Sequence, residues 1–178
     1  MKNLLIMGAI RSGKSTLCSM ISERFRFDRV PQDAMVTAFE KIFPECGIKH
    51  GDTTRSAFGP WLFEYMKELA YESGRFVVEG CHVGVRVANK LIDKDKWRMV
   101  VLGYPGLTPE QAFAEVRKND QPHDWTRDIT DDVLMQCMTD AVEESKRYQS
   151  ECGEFGIEFI DVSTDRLEKL ARFAAGFD

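Results

Sequence analysis

No stretch of this sequence is apolar for long enough to span a bilayer, which argues against an integral membrane protein. The first residues read as a short apolar run passing straight into a glycine-rich segment, so no leader is expected and the expected location is the cytoplasm. Cysteine is sparse. Cys18, Cys46, Cys81, Cys137 and Cys152 form no C-x-x-C pair, and their odd number and apolar settings fit free thiols in a reducing compartment. The same spacing argues against a zinc site, and the adjacent Cys81 and His82 would point to opposite faces of a strand. Basic residues are not in excess: 24 Lys and Arg stand against 29 Asp and Glu, for a net charge of −5. That balance argues against a nucleic-acid partner, whose binders carry a basic face, but leaves room for a local pocket holding an anionic nucleotide. Internal repeats and low-complexity segments are also missing.

The chain does have the material for one core. Its 178 residues suggest a single domain, and a chain of this length removes about 70% of its unfolded surface on folding. A hydrophobic share of 43% and a charged share of 30% are those of an ordinary globular protein.

The most specific stretch is Gly8-Ala9-Ile10-Arg11-Ser12-Gly13-Lys14-Ser15, which fits G-x-x-x-x-G-K-[ST], the phosphate-binding loop of nucleotide-dependent enzymes. Gly8 and Gly13 allow a tight turn close to an anion, and the turned backbone aims several N–H groups at one point. Lys14 supplies a mobile cation for the outer phosphates, Ser15 a hydroxyl for Mg²⁺, Thr16 completes the expected nucleotide-binding residues, and the helix that follows directs its positive end at the same anion. The flanks agree: Asn3 to Met7 reads as a buried parallel strand, and Leu17, Met20 and Ile21 share one helical face. Expected ligands of the loop are therefore ATP and Mg²⁺.

Further along, Phe25 to Val30 reads as a second strand closed by Pro31, with Asp33 at the start of a helix running to Ile42. Asp33 is at once a good helix N-cap and a candidate functional acid. Phe43 to Phe58 is loop-like, polar enough to cover a pocket, and carries Arg55. Pro60 opens a helix whose stripe of Trp61, Leu62, Tyr65 and Met66 reads as core. Arg75 to Gly80 is a third strand ending in Glu79, and three apolar residues before a carboxylate resemble the second nucleotide-binding motif, where the acid holds a metal-bound water or orients the acceptor. A helix from Val83 carries Arg86. Trp97 to Leu102 is a fourth strand. Thr108-Pro109-Glu110-Gln111 is a strong helix start, and Thr130 caps a long helix with Val133, Leu134, Cys137, Met138, Ala141 and Val142 as its buried stripe. Ile157 to Val162 is a fifth strand, followed by Ser163-Thr164-Asp165 capping a last helix.

Strands alternate with helices, so the sheet should be parallel with helices on both faces. Ligands in such sheets lie beyond the strands' C-terminal edge. The phosphate loop, Asp33 and Glu79 all follow strand C-termini and should converge there.

This organisation resembles the small P-loop kinases: adenylate kinase, shikimate kinase and the zeta-toxin-like kinases. The resemblance covers the whole chain in arrangement and is specific only over Gly8 to Ser15. It implies an α/β P-loop NTPase fold with a five-stranded parallel sheet, order 2-3-1-4-5, and a lid at about 104–132. By the same resemblance Arg117 and Arg127 are the lid's transition-state cations, and the adenine ring rests near Val162 and Ser163. Two features depart from the pattern. The segment Pro105 to Asp132 has seven Asp and Glu against three Lys and Arg, although a lid closing on phosphates is more often basic. Nucleoside monophosphate kinases resembling this chain place an arginine shortly after the second strand, and Asp33 to Ala38 has none. The second departure favours a small-molecule acceptor offering a hydroxyl, with Asp33 as its base, while Arg55 and Arg86 could still clamp an anion. A nucleotide or nucleoside kinase is the alternative within the class. Outside it stands an ATP-hydrolysing switch; a GTPase switch would show N-K-x-D, which Asn89-Lys90-Leu91-Ile92 begins without the acid.

Overall fold

A computed structural model describes residues 1–51, 57–122 and 124–177. Its five strands are β1 (Asn3–Gly8), β2 (Asp28–Pro31), β3 (Phe76–Glu79), β4 (Trp97–Gly103) and β5 (Glu158–Asp161). They form one sheet in the order β2-β3-β1-β4-β5, with every pair parallel. This is the expected α/β order. The helices are α1 (Lys14–Phe25), α2 (Gln32–Ile42), α3 (Phe58–Leu69), α4 (Val85–Leu91), α5 (Pro109–Asn119), α6 (Asp131–Phe155) and α7 (Arg166–Ala175).

The apolar run in β1 is explained by burial on both faces. Leu4 and Ile6 enter one core cluster with Leu17 and Ile21 of α1, Leu134 and Met138 of α6 and Leu170 of α7. Leu5 and Met7 enter the other, with Val36 of α2, Leu62 and Met66 of α3 and Tyr148 of α6. Each fully buried side chain of this size contributes about 1.5–3 kcal/mol, so the central strand is the most strongly fixed part of the sheet. The register sets the site: Ile6 lies opposite Glu79 on β3, and Gly8 lies opposite Leu102 on β4. Glu79 therefore ends its strand beside the approach to the phosphate loop.

Several expected boundaries shift. The segment 25–30 is not one strand: α1 continues through Phe25, Arg26 turns left-handed with φ 59° and its N–H donates to Ser22, and only Asp28–Pro31 pairs. The cause is packing, since Phe25 and Phe27 each meet Phe177 edge-on with ring centres 5.7 Å apart, on the α1–α7 side. Asp33 is not the N-cap of α2; Pro31 occupies that position and no side chain caps the helix. α3 begins at Phe58, two residues before Pro60. Val133, placed in the buried stripe of α6, is exposed because that stripe is narrower than expected, while Leu134, Met138, Ala141 and Val142 are buried as read. Trp61 is partly exposed rather than core. α7 lacks the expected side-chain cap: Asp165 is left-handed, with φ 51°, and Ser163 bonds to Asp161 instead. The capping box of Thr108 with Gln111 and the Thr130 cap are both present. Among the described residues no helix is long and apolar enough to cross a membrane.

Candidate active site

The phosphate loop is built by close approach. Gly8 has φ 144°, and a Cβ there would lie 2.0 Å from the Leu102 carbonyl oxygen of the neighbouring strand, so only glycine fits. Gly13, with φ 95°, turns the chain into α1. The Ala9 N–H donates to Leu102 O at 3.1 Å and the Ser12 N–H to Ala9 O at 3.3 Å. Two outside groups take the loop's carbonyls: the Tyr104 hydroxyl donates to Ile10 O at 2.8 Å, and Arg166 Nη1 donates to Arg11 O at 3.2 Å. With these carbonyls occupied from outside, the loop is held without its ligand. Lys14 is buried and folds across the loop, donating from Nζ to Ala9 O at 2.7 Å. The Ser12 hydroxyl is buried with no hydrogen-bond partner among the described residues, an orphaned polar atom of the kind a ligand oxygen satisfies.

Beside the loop, the Ser15 hydroxyl donates to Glu79 Oε1 at 3.3 Å. Burial pushes the Glu79 carboxyl above its usual value; Lys14 pulls it down and Asp33 raises it further. An alcohol and a buried carboxylate that meet directly form a hard, all-oxygen donor set, which fits Mg²⁺.

Asp33, in the first turn of α2, reaches the same region. Its Oδ1 lies 2.6 Å from His82 Nε2. That hydrogen bond holds the Asp33 carboxyl below its usual range; burial opposes the shift, and the charges of His82, Lys14 and His50 add to it. His82 is buried in the turn after β3, its backbone N–H donates to Gln32 Oε1 at 3.3 Å, and its ring packs edge-on against His50 at 5.3 Å and Phe58 at 6.0 Å. His50 in turn bonds Thr37 at 2.9 Å. The expectation that Cys81 and His82 point apart is overturned. β3 ends at Glu79, so the two residues lie in a bend without strand alternation, and their donor atoms and that of Asp33 all lie within 4.8 Å of one another. From α6, the Glu144 carboxyl is pushed up by burial while accepting the Tyr148 hydroxyl at 2.9 Å and feeling the charge of Lys14.

The arginines divide. Arg86 is not brought to this cluster: it binds Glu151 at 2.9 Å and Glu154 at 2.7 Å, on the last turns of α6. Arg117 is bound within its own segment, donating to Thr126 O at 2.7 Å, Ile129 O at 3.3 Å and Asp131 Oδ1 at 2.6 Å, with Asp120 at 3.4 Å. Arg127 is exposed. Arg55 lies outside the described residues. Sequence reasoning gave Arg11 only a backbone place in the loop, yet its guanidinium binds Asp120 and Asp124. Val162 and Ser163 line a cavity of about 420 Å³ whose walls include Arg11, Tyr104, Gln111 and Arg166.

No protein-family profile matches the sequence, and no curated protein sequence matches it. Solved structures do share the fold. A shikimate kinase from Bacteroides thetaiotaomicron superposes with a TM-score of 0.60 at 16% identity, covering 98% of this chain and 97% of that one. A gluconokinase from Sinorhizobium meliloti 1021 gives 0.59 at 19%, covering 98% and 94%. A deoxyadenosine kinase from M. mycoides with bound dATP gives 0.50 at 11%, covering 98% of each chain. All three are small P-loop kinases, and this chain has their fold.

Proposed function

We propose that this chain is an ATP- and Mg²⁺-dependent phosphotransferase acting on a small molecule at a hydroxyl. The observation that carries the reading is the position of Asp33: its carboxylate is held by His82 and feels the charge of Lys14, while the stretch Asp33 to Ala38 just after β2 has no arginine to bind an acceptor's phosphate. The fold shared with a shikimate kinase and a gluconokinase supports it.

In this reading the loop N–H groups and Lys14 bind the β- and γ-phosphates, Lys14 exchanging its bond to Ala9 O for phosphate oxygens. Ser15 and Glu79 hold Mg²⁺, which offsets the charge on the phosphates. The orphaned Ser12 hydroxyl gains a phosphate partner. The base lies in the cavity beside Val162 and Ser163, between Arg11 and Arg166. Asp33 accepts a hydrogen bond from the acceptor's hydroxyl through the oxygen His82 does not use. A carboxyl with a lowered proton affinity is a weak base, so it orients the hydroxyl more than it removes its proton, which suffices for a loose phosphoryl-transfer transition state. The segment 104–132 acts as a lid, and the chain forms a single kinase-like unit around it.

The fold is also shared with a deoxyadenosine kinase, which supports a nucleoside as the alternative acceptor. The test is a phosphoryl-transfer screen with Mg²⁺-ATP against hydroxy acids, sugar acids, polyols and nucleosides, with Lys14→Ala as the control. Acceptor-dependent ATP consumption that disappears in Lys14→Ala is expected. ATP consumption stimulated by no acceptor, or untouched by the substitution, overturns the kinase reading.

A further inference from the structure

We propose that Asp33, Cys81 and His82 form a binding site for one divalent cation of the zinc class, separate from the Mg²⁺ site and different from it in chemistry. Three donors of three kinds converge from two elements: a carboxylate oxygen from the first turn of α2, and a thiol sulfur and an imidazole nitrogen from the turn after β3, all within 4.8 Å of one another. Bond lengths of about 2.0–2.3 Å in a tetrahedral zinc site place ligand atoms roughly 3.3–3.7 Å apart. Small side-chain rotations close the sulfur onto the ion, and the 2.6 Å Asp33–His82 contact opens by about 1 Å to admit it. The ion takes the place of the proton these two residues share, and the thiol proton leaves to solvent.

The supporting structure is already rigid. The Gly80 N–H donates to Ile6 O at 3.1 Å, which anchors the turn to the central strand. A Cβ on Gly80 would lie 2.6 Å from the Gln32 side chain, so the turn packs directly on the start of α2. The Gln32 side chain also binds the His82 N–H, and the His50 and Phe58 rings fix the orientation of the His82 ring. The two elements that carry the donors are thus locked to each other before any ion arrives, which is what a metal site needs from its surroundings.

The donor types decide the ion. Thiolate and imidazole suit Zn²⁺ and its neighbours, and Mg²⁺ prefers oxygen alone. Mg²⁺ therefore belongs with Ser15 and Glu79, and the softer ion with Cys81 and His82. Three protein ligands leave a fourth position open. Lys14 is near enough to influence Asp33 and Cys81 and opposes a cation there, and the negative groups Glu79 and Glu144 offset it. An ion at this place also takes the Asp33 carboxylate away from the acceptor. That link rests on the proposed function, so zinc and phosphoryl transfer would exclude one another.

The experiment is a Co²⁺ titration of the full chain in buffer containing Mg²⁺. The expected result is one equivalent bound, with thiolate-to-cobalt charge-transfer absorption in the near ultraviolet, strong tetrahedral bands in the visible, and loss of both on adding Zn²⁺. Cys81→Ser removes the charge-transfer band, and Cys81→Ala does the same should the serine variant melt early. His82→Gln and Asp33→Asn weaken cobalt binding by roughly tenfold or more, and Cys46→Ser, at an exposed cysteine, retains the full spectrum. A wild-type chain without the thiolate band, or a band that survives in a folded Cys81 variant, overturns the site. In parallel, Zn²⁺ is expected to suppress wild-type phosphoryl transfer and to spare Cys81→Ser. A chain that transfers phosphate to nothing refutes the function and leaves the cobalt spectrum to decide the metal site alone.

Discussion

Arg11, inside the phosphate loop, is paired with Asp120 at the end of α5, Nη2 to Oδ1 at 3.3 Å, and Nη1 of the same guanidinium lies 2.8 Å from Asp124. Asp120 is nearly buried and also accepts the Thr126 hydroxyl and Arg117. Three of the seven acids in the segment 104–132 thus meet protein guanidiniums from the loop and from the segment itself: Asp120 and Asp124 meet Arg11, and Asp120 and Asp131 meet Arg117. Asp120 and Asp124 therefore present little bare negative charge beside the phosphate loop.

Removing that tie should loosen the segment and leave the sheet alone. Arg11→Met is expected to lower global stability by about 1–3 kcal/mol, the cost of leaving a largely buried acid short of a partner. It should also speed amide exchange over 117–131 more than in β1 and β4. Urea denaturation and hydrogen exchange measure the two effects. Exchange unchanged over 117–131 would show that the ion pair does not restrain the segment.

Arg117 offers a choice between two roles. Its guanidinium is shared among two carbonyls and two carboxylates, so Arg117→Ala leaves several groups without donors. A brace predicts a stability loss of roughly 1–3 kcal/mol with kcat falling only as far as the segment is disordered. A transition-state cation predicts the reverse, an unchanged melt with kcat reduced by about 10³-fold or more. Thermal unfolding and steady-state kinetics on the same preparation separate them, and the geometry favours the brace.

Asp33→Asn tests the carboxylate itself. Asp33 caps nothing and its side chain is 70% exposed, so at neutral pH the melting temperature should fall only by the small amount the solvent-screened His82 pair contributes. Turnover with the acceptor should fall, by roughly 10² to 10⁴ for a carboxylate that takes the proton and by less for one that orients the hydroxyl, with nucleotide affinity preserved. The pH dependence has a definite sign. The hydrogen bond from His82 depresses the folded pKa of Asp33, so the stability this pair contributes is complete above the unfolded value of about 3.9 and is lost as pH falls through the lower folded value. Asp33→Asn should therefore flatten the acid limb of a stability–pH curve. Wild-type and variant curves that run parallel from pH ~6 to ~2 would show that the pair does not form in solution.

Glu79 has the opposite sign. Burial raises its folded pKa above the unfolded value, so the folded state binds the proton more tightly and stability falls as pH rises between the two values. Glu79→Gln keeps the size and an acceptor for Ser15 while removing the buried charge. The ligand-free variant should melt higher than wild type at pH 7–8, and the extra stabilisation that Mg²⁺ adds to nucleotide binding should shrink. For scale, a ligand at 100 times its Kd adds about 2.7 kcal/mol. Thermal shifts with nucleotide, with and without Mg²⁺, make the comparison. A variant that melts lower in the absence of ligand and responds fully to Mg²⁺ would remove Glu79 from the metal site.

How much was legible in the chain depended on the range of the interactions. The strand–loop–helix around Gly8 to Ser15 is local: the glycines, the lysine and the apolar flanks lie within about twenty residues, and backbone sterics there have few solutions. The alternation of apolar runs with capped helices determined that the sheet is parallel with helices on both faces, whereas the strand order came only from the resemblance to the small P-loop kinases. The sequence therefore determined the architecture, the phosphate loop and the placing of Asp33 and Glu79 at one sheet edge. Tertiary structure decided what the long charged side chains do. Arg11 and Asp120 are 109 residues apart, His82 and Asp33 are 49 apart, and Arg86 and Glu151 are 65 apart. No periodicity links such pairs, since an arginine reaches whichever carboxylate the packed elements bring within its length. The end of β3 at Glu79 is the same kind of outcome: the paired partners β1 and β2 set where the ladder stops, and the bend beyond it turned Cys81 and His82 together toward Asp33.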